Sequence, residues 1–182
     1  MAEPRTELIK AALKARLESI AADGGVTYWY QPSVDAQGRK AVYRCYQEWD
    51  DAILDRSLGT DDAPAVIYAI RSDKGWWIEH STGQQLRGEL EVFILAARAD
   101  VEATVDPRNQ AAPRRELVAD RLTRDVIRVL ATEPQLVSGN EQVSINVMKV
   151  PDGIEVVTFD HEGWVVCLFR TVIPYRCPAG AP

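Results

Sequence analysis

Near the start of the chain, Ile9, Leu13, Leu17 and Ile20 recur at helical spacing, with Leu8 and Ala12 beside them. Pro4 suits a helix opening, because the first turn has no use for the N–H that proline lacks. Glu3 and Glu7 complement the positive end of the helix dipole. An amphipathic helix is therefore expected from Thr6 to Ala22, stopped by Gly24 and Gly25. The period then changes. Val26 to Tyr30 and Ala41 to Gln47 are rich in β-branched and aromatic residues. They flank a turn-forming stretch around Asp35 and Gly38, which predicts a long-looped hairpin. Pro64 opens a strand through Ile70, and Lys74-Gly75 and Gly83 mark turns on either side of Trp76-Trp77-Ile78. From about Leu86 to Ala97 a long strand carries Leu90, Val92 and Ile94 on one face and Phe93 and Leu95 on the other. Apolar groups on both faces predict a central position in a sheet.

The stretch from Asp100 to Ala112 has two prolines and no periodicity, and reads as a loop. A second helix follows from Pro113, with an apolar stripe of Val118, Leu122, Val126 and Val129, and Pro134 closes it. Val143, Ile145 and Val147 alternate as in a strand. Pro151-Asp152-Gly153 makes a turn, Ile154 to Phe159 a strand, and Asp160 to Gly163 another turn. A last strand runs from Trp164 to about Tyr175, and the tail from about Cys177 is expected to be loose. Helix, strands, helix, strands, with no repeat or low-complexity block, predicts one α+β domain over residues 1–182. Its simplest layering is a mostly antiparallel β-sheet with two amphipathic helices packed on one face and a projecting β-hairpin at Trp76-Trp77.

Charge narrows the choice of partners. The net charge of −6 opposes general binding to nucleic acid, which draws its affinity from Lys and Arg displacing counterions. It suits a surface that nucleic acid slides past. Glu48, Asp50, Asp51, Asp55, Asp61 and Asp62 crowd one stretch against Arg56, but no calcium-loop spacing organises them. This stretch reads as a solvated acidic connection, so no metal and no cofactor is expected. Cys45, Cys167 and Cys177 are odd in number and far apart, which favours reduced thiols over a disulfide framework. The start of the sequence has no apolar signal core, and no apolar run reaches membrane-spanning length. A chain made and kept in the cytoplasm of its producing cell, with no membrane partner, is expected.

The catalytic inventory is thin. His80 and His161 have no His or Cys at ligand spacing, and no GxSxG, phosphate-cradling glycine loop or HExxH is present. His161 beside Asp160 and Glu162 has the residue types of an acid–base cluster, but turns are polar for backbone reasons alone. Two features point instead to contact. Neighbouring residues of an extended Trp76-Trp77-Ile78 face opposite ways, so a single-sided core buries one indole and leaves the other either for a partner or, in a two-sided hairpin, packed under a loop. Arg114, Arg121, Arg124 and Arg128 align along the second helix, either as a clamp for acidic groups or as a solvated face paired with Asp120 and Asp125. Tyr28, Trp29, Tyr30, Tyr43, Tyr46 and Trp49 have only one base, Arg44, inside their strands and read as core and subunit contact rather than a base-stacking platform.

The element order resembles that of the tail terminator proteins of long-tailed bacteriophages and phage-derived particles. The likeness rests on a helix like Thr6 to Ala22 that leads into a hairpin, a strand opening Pro64-Ala65-Val66-Ile67 and a hairpin arm. It continues through a long strand like Glu89-Leu90-Glu91-Val92-Phe93-Ile94, a helix like Arg114 to Leu130, and closing strands ending near Phe169 to Tyr175. A longer first hairpin and the acidic 48–63 connection depart from the shorter members. The resemblance implies a non-enzymatic structural protein at the head–tail junction of a virion. It would form a homo-oligomeric ring, a hexamer, that caps the tail tube protein and presents a surface to a head-completion or connector protein. DNA would pass through only as cargo. Trp76, Trp77, Ile78 and the four arginines are the candidate contact residues. The competing readings are another head–tail connector or tail-completion protein, a small α+β ligand-binding module, and, last, a small hydrolase using His161.

Overall fold

The computed structural model describes residues 5–45, 66–72, 76–82, 85–99, 115–131, 154–161 and 164–178. Among them the chain runs α1 (Arg5–Glu18), β1 (Val42–Cys45), β2 (Val66–Ser72), β3 (Trp76–Thr82), β4 (Gln85–Ala99), α2 (Arg115–Ala131), β5 (Glu155–His161) and β6 (Trp164–Pro178). The strands form one sheet in the order β1-β2-β4-β6-β5, with β3 also paired to β4. Its spine is β4 against β6, in register from Gln85↔Pro178 to Ala99↔Trp164. The other edge of β4 is shared, β2 taking Val92 to Arg98 and β3 taking Gln85 to Glu89. All pairings are antiparallel except β1 with β2. The expected α+β class is what forms, with β4 central and the arm at Trp76 paired back on β4 as a hairpin.

Alternation along each strand sorts the apolar residues into two sets. Tyr68, Ile70, Leu90, Val92, Ile94, Cys167 and Phe169 point to the inner face, where Ile9, Leu13 and Leu17 of α1 and Val118, Leu122 and Val126 of α2 cover them. Both helices therefore lie on one face. Each large apolar side chain fully buried there contributes about 1.5–3 kcal/mol. The outer face carries a second cluster of Cys45, Ile67, Ala69, Leu95, Ala97, Trp164 and Val166. Cys45 and Cys167 are free thiols and sit on opposite faces, so they cannot meet each other.

Three expectations need correcting. α1 ends at Glu18 rather than Ala22, because the Ser19 hydroxyl donates to Arg16 O (2.7 Å) and the Ile20 N–H reaches Leu17 O in a tightened last turn. The long-looped hairpin between Val26–Tyr30 and Ala41–Gln47 does not form. β1 instead lies parallel to β2, and the Asp35–Gly38 turn closes only one bridge, Val34↔Lys40. Finally, β6 continues to Pro178, so Cys177 belongs to the sheet and not to a loose tail. The second helix and the strand before the last hairpin lie within a residue or two of their expected bounds. The acidic 48–63 connection, the loop at 100–112, the strand expected at Val143–Val147 and residues 179–182 lie outside the described residues.

Candidate interaction surfaces

Directly after α1 the chain makes a compact loop, Asp23 to Tyr30, bonded from both sides. Its own start closes it: both Asp23 carboxylate oxygens accept the Thr27 N–H (2.8 and 2.9 Å), and Oδ1 also accepts the Tyr28 N–H (3.0 Å). The amide of Thr27 is the main reason the Asp23 carboxyl is pulled down to about 2. Gly24 and Gly25 supply the left-handed turn (φ 75° and 88°). At Gly25 a side chain is also sterically barred, since a Cβ would lie 2.6 Å from the Trp29 ring.

From the other side α2 reaches in. Asp125 is buried, 1% exposed, and accepts the N–H of Trp29 (3.0 and 3.1 Å) and of Tyr30 (2.8 Å). Burial holds its carboxyl above the usual range, against the opposing pull of those two amides. The phenol of Tyr68, buried beneath, is pushed far up by the same loss of solvent and by the Asp125 charge. Arg128 donates to Thr27 O (3.1 Å) and Val26 O (3.4 Å). The Arg121 guanidinium lies 4.1 Å from the centre of the Trp29 ring, and Arg98 lies 4.2 Å from that of Tyr30. The loop is thus fixed, with Val26, 79% exposed, at its tip.

These contacts divide the arginine stripe. Arg121 and Arg128 serve the chain's own loop, Arg124 is exposed, and Arg114 lies outside the described residues. The solvent side of α2 is nonetheless organised. Leu117, Asp120, Arg124, Ile127 and Ala131 are all exposed and recur at offsets that share one helical face. Leu117 and Ile127 keep 41% and 40% of their surface in solvent although apolar.

A second surface lies across the sheet, on the face away from the helices. Register lines up Arg71 of β2, Phe93 of β4, Arg170 of β6 and Glu155 of β5 in one row. Arg71 stands over the Phe93 ring at 5.0 Å. Arg170 donates through Nε to Glu91 (2.5 Å) and through Nη1 to Glu155 (3.4 Å), and those two carboxylates raise its own basicity, Glu91 foremost. Glu91, Phe93, Glu155, Val157, Leu168 and Arg170 line an open hollow of about 380 Å³. Val157 stands half exposed at its rim.

The remaining candidates are placed by the backbone. Trp76, Trp77 and Ile78 lie in β3 opposite Glu89, Gly88 and Arg87. His80 lies in the same strand, and His161 ends β5 opposite Trp164. The aromatic group does not assemble as one cluster. Tyr30 and Tyr28 join the inner core, Tyr43 joins the outer one, Trp29 rides on the loop, and Tyr46 and Trp49 lie outside the described residues. Among the described residues no group of three or more His, Cys, Asp or Glu converges as a metal site, and no helix is long and apolar enough to cross a membrane. Asp125, expected on the solvated face of the second helix as a partner of Arg128, is instead buried and taken up by the Trp29 and Tyr30 amides, and the Glu91–Glu155–Arg170 hollow was not singled out by sequence reasoning; both join residues far apart in the chain. No protein-family model matches this chain, and no curated protein matches it.

Proposed function

We propose that the chain is a structural protein of the tail-terminator type, which closes the end of a phage tail tube as a homo-oligomeric ring and offers the surface that joins the head. The observation that carries this reading is the order and layering of elements. A leading helix, two parallel strands, a hairpin arm running into a 15-residue strand, a second helix and a closing strand hairpin follow one another, and apart from the absent first hairpin this is the order on which the resemblance rests. Both helices fall on one face of the sheet. The exposed apolar pair Leu117 and Ile127 gives such a protein surface to bury against a neighbour. In this reading the β3–β4 hairpin projects toward the tube or the next subunit, the tail tube protein and a head-completion protein are the partners, and DNA is passing cargo. The same fold serves equally a neighbouring neck component of the same particle.

A small ligand-binding module is the second reading, favoured by the outer-face hollow of about 380 Å³, the size of a small-molecule site. Native mass measurement and particle imaging of the purified chain decide between them. Rings with a central opening, which bind the ends of isolated tail tubes, are the expected result. A monomer at every concentration, stabilised by a small ligand, would overturn the proposal.

A further inference from the structure

We infer that copies of this chain join head to tail, the exposed stripe of α2 on one copy seating in the outer-face hollow of the next. This rests on the ring reading above and names the surfaces that ring would use. The two surfaces lie on opposite sides of the molecule, because α2 covers the inner face of β4 and β6 while the hollow opens on their outer face. A ring needs this arrangement: two different, mutually complementary patches per subunit, turned apart.

Their chemistry matches in kind and spacing. The stripe presents an acid and a base one turn apart, Asp120 and Arg124, which a helical rise places about 6 Å from each other along the axis. The hollow presents the opposite pair as cross-strand neighbours, Arg170 and Glu155, about 5 Å apart. Arg170 is held close by Glu91 and reaches Glu155 only at 3.4 Å, so Glu155 retains capacity for a second cation. Arg124 would fill it, leaving Asp120 toward Arg170. On either side of the charges the stripe carries Leu117 and Ile127, and the hollow carries Phe93, Val157 and Leu168, so apolar surface meets apolar surface.

The test uses the full-length chain with Arg124→Glu and Glu155→Arg made singly. Arg124 is exposed, so Arg124→Glu should melt like the parent, whereas Glu155→Arg sets a second guanidinium opposite Arg170 and should melt somewhat lower; Arg124→Gln and Glu155→Gln are the milder pair that separates assembly from folding. Each reversal should raise the concentration needed for assembly roughly tenfold or more, through like-charge contact at every interface. Mixed in equal amounts, the two reversed chains should regain rings, because each meets its complement on both sides in an alternating ring. Wild-type rings with undisturbed single variants would overturn this interface and leave the ring reading standing. So would singly defective variants that fail to recover on mixing. A wild-type chain that never assembles would remove both.

Discussion

The Asp23–Tyr30 loop and the outer-face row of Arg71, Phe93, Arg170 and Glu155 carry similar residue types, yet they treat them differently. In the loop, charged and aromatic groups turn inward on the chain itself. Asp23 takes the Thr27 and Tyr28 amides, Asp125 takes those of Trp29 and Tyr30, Arg128 takes two carbonyls, and Arg121 lies on an indole. In the outer row the groups meet across strands but keep much of their surface in water, Arg170 at 55% and Glu155 at 63%. A buried charge is kept where losing its partner is expensive, and an exposed pair contributes little to folding. The loop is thus the element whose polar groups should govern stability, and the outer row the one whose polar groups are available for contact.

The largest effect that would break this contrast is at Asp125. Asp125→Ala strips the acceptor from two backbone N–H groups, one of them in a buried bond, and should destabilise the fold by about 3 kcal/mol. Denaturant unfolding measures this directly. A loss under 1 kcal/mol would mean that water reaches those amides and the loop is not fixed from within.

Gly25 should come next. Gly25→Ala forces a side chain into a left-handed backbone at φ 88° and drives its Cβ against the Trp29 ring. The ring must then leave Arg121, for a total of about 2 kcal/mol. Gly24→Ala supplies the internal control. Its φ is 75° and nothing lies within 4 Å of the added carbon, so only the backbone penalty of about 1 kcal/mol should appear. Equal losses at the two glycines would show that the Trp29 stack contributes nothing.

This contrast also explains what could be read from the sequence. The α1 stripe of Ile9, Leu13, Leu17 and Ile20 was legible because its period is local, and all four residues are buried. β4 was legible as central because Leu90, Val92 and Ile94 alternate with Phe93 and Leu95. The turn chemistry at Asp35 was legible too, its carboxylate accepting the Gln37 and Arg39 amides. What the turn joins was not. Tyr30 is held by Asp125, 95 positions away, and Val42 pairs with Tyr68 in a parallel register that no short-range pattern marks. On α2, spacing aligned Arg121, Arg124 and Arg128, but only the position of the loop decides which of them it occupies. The outer hollow depends on register across three strands, which is fixed by folding rather than by any one segment.

For the outer row the expected effect on folding is small. Glu155→Gln removes a carboxylate that meets Arg170 only at 3.4 Å and in solvent, so the thermal midpoint should not move measurably. A clear drop in the midpoint would place Glu155 among the loop-like, fold-bearing groups and weaken its claim as a contact residue.

The finest test of the loop is in acid. Above pH 3.8 Asp23 is ionised in folded and unfolded chains alike, and its hydrogen bonds to Thr27 and Tyr28 stabilise in full. Below that value the unfolded chain takes up the proton first, since the folded carboxyl holds out to about 2, so this stabilisation drains away as pH falls from 3.8 toward 2. Asp125 titrates on the other side of the ordinary value, because burial raises it. Its ionised form opposes folding, and the fold gains as pH falls through its raised pKa, a window above that of Asp23. The stability of wild type minus Asp23→Asn, followed by urea unfolding from pH 5 to pH 2, should therefore be constant near the top of the lower window and decline through it. A difference that stays flat from 3.8 to 2 would show that the Asp23 carboxylate does not hold the Thr27 amide in solution, and the loop would then be fixed from α2 alone.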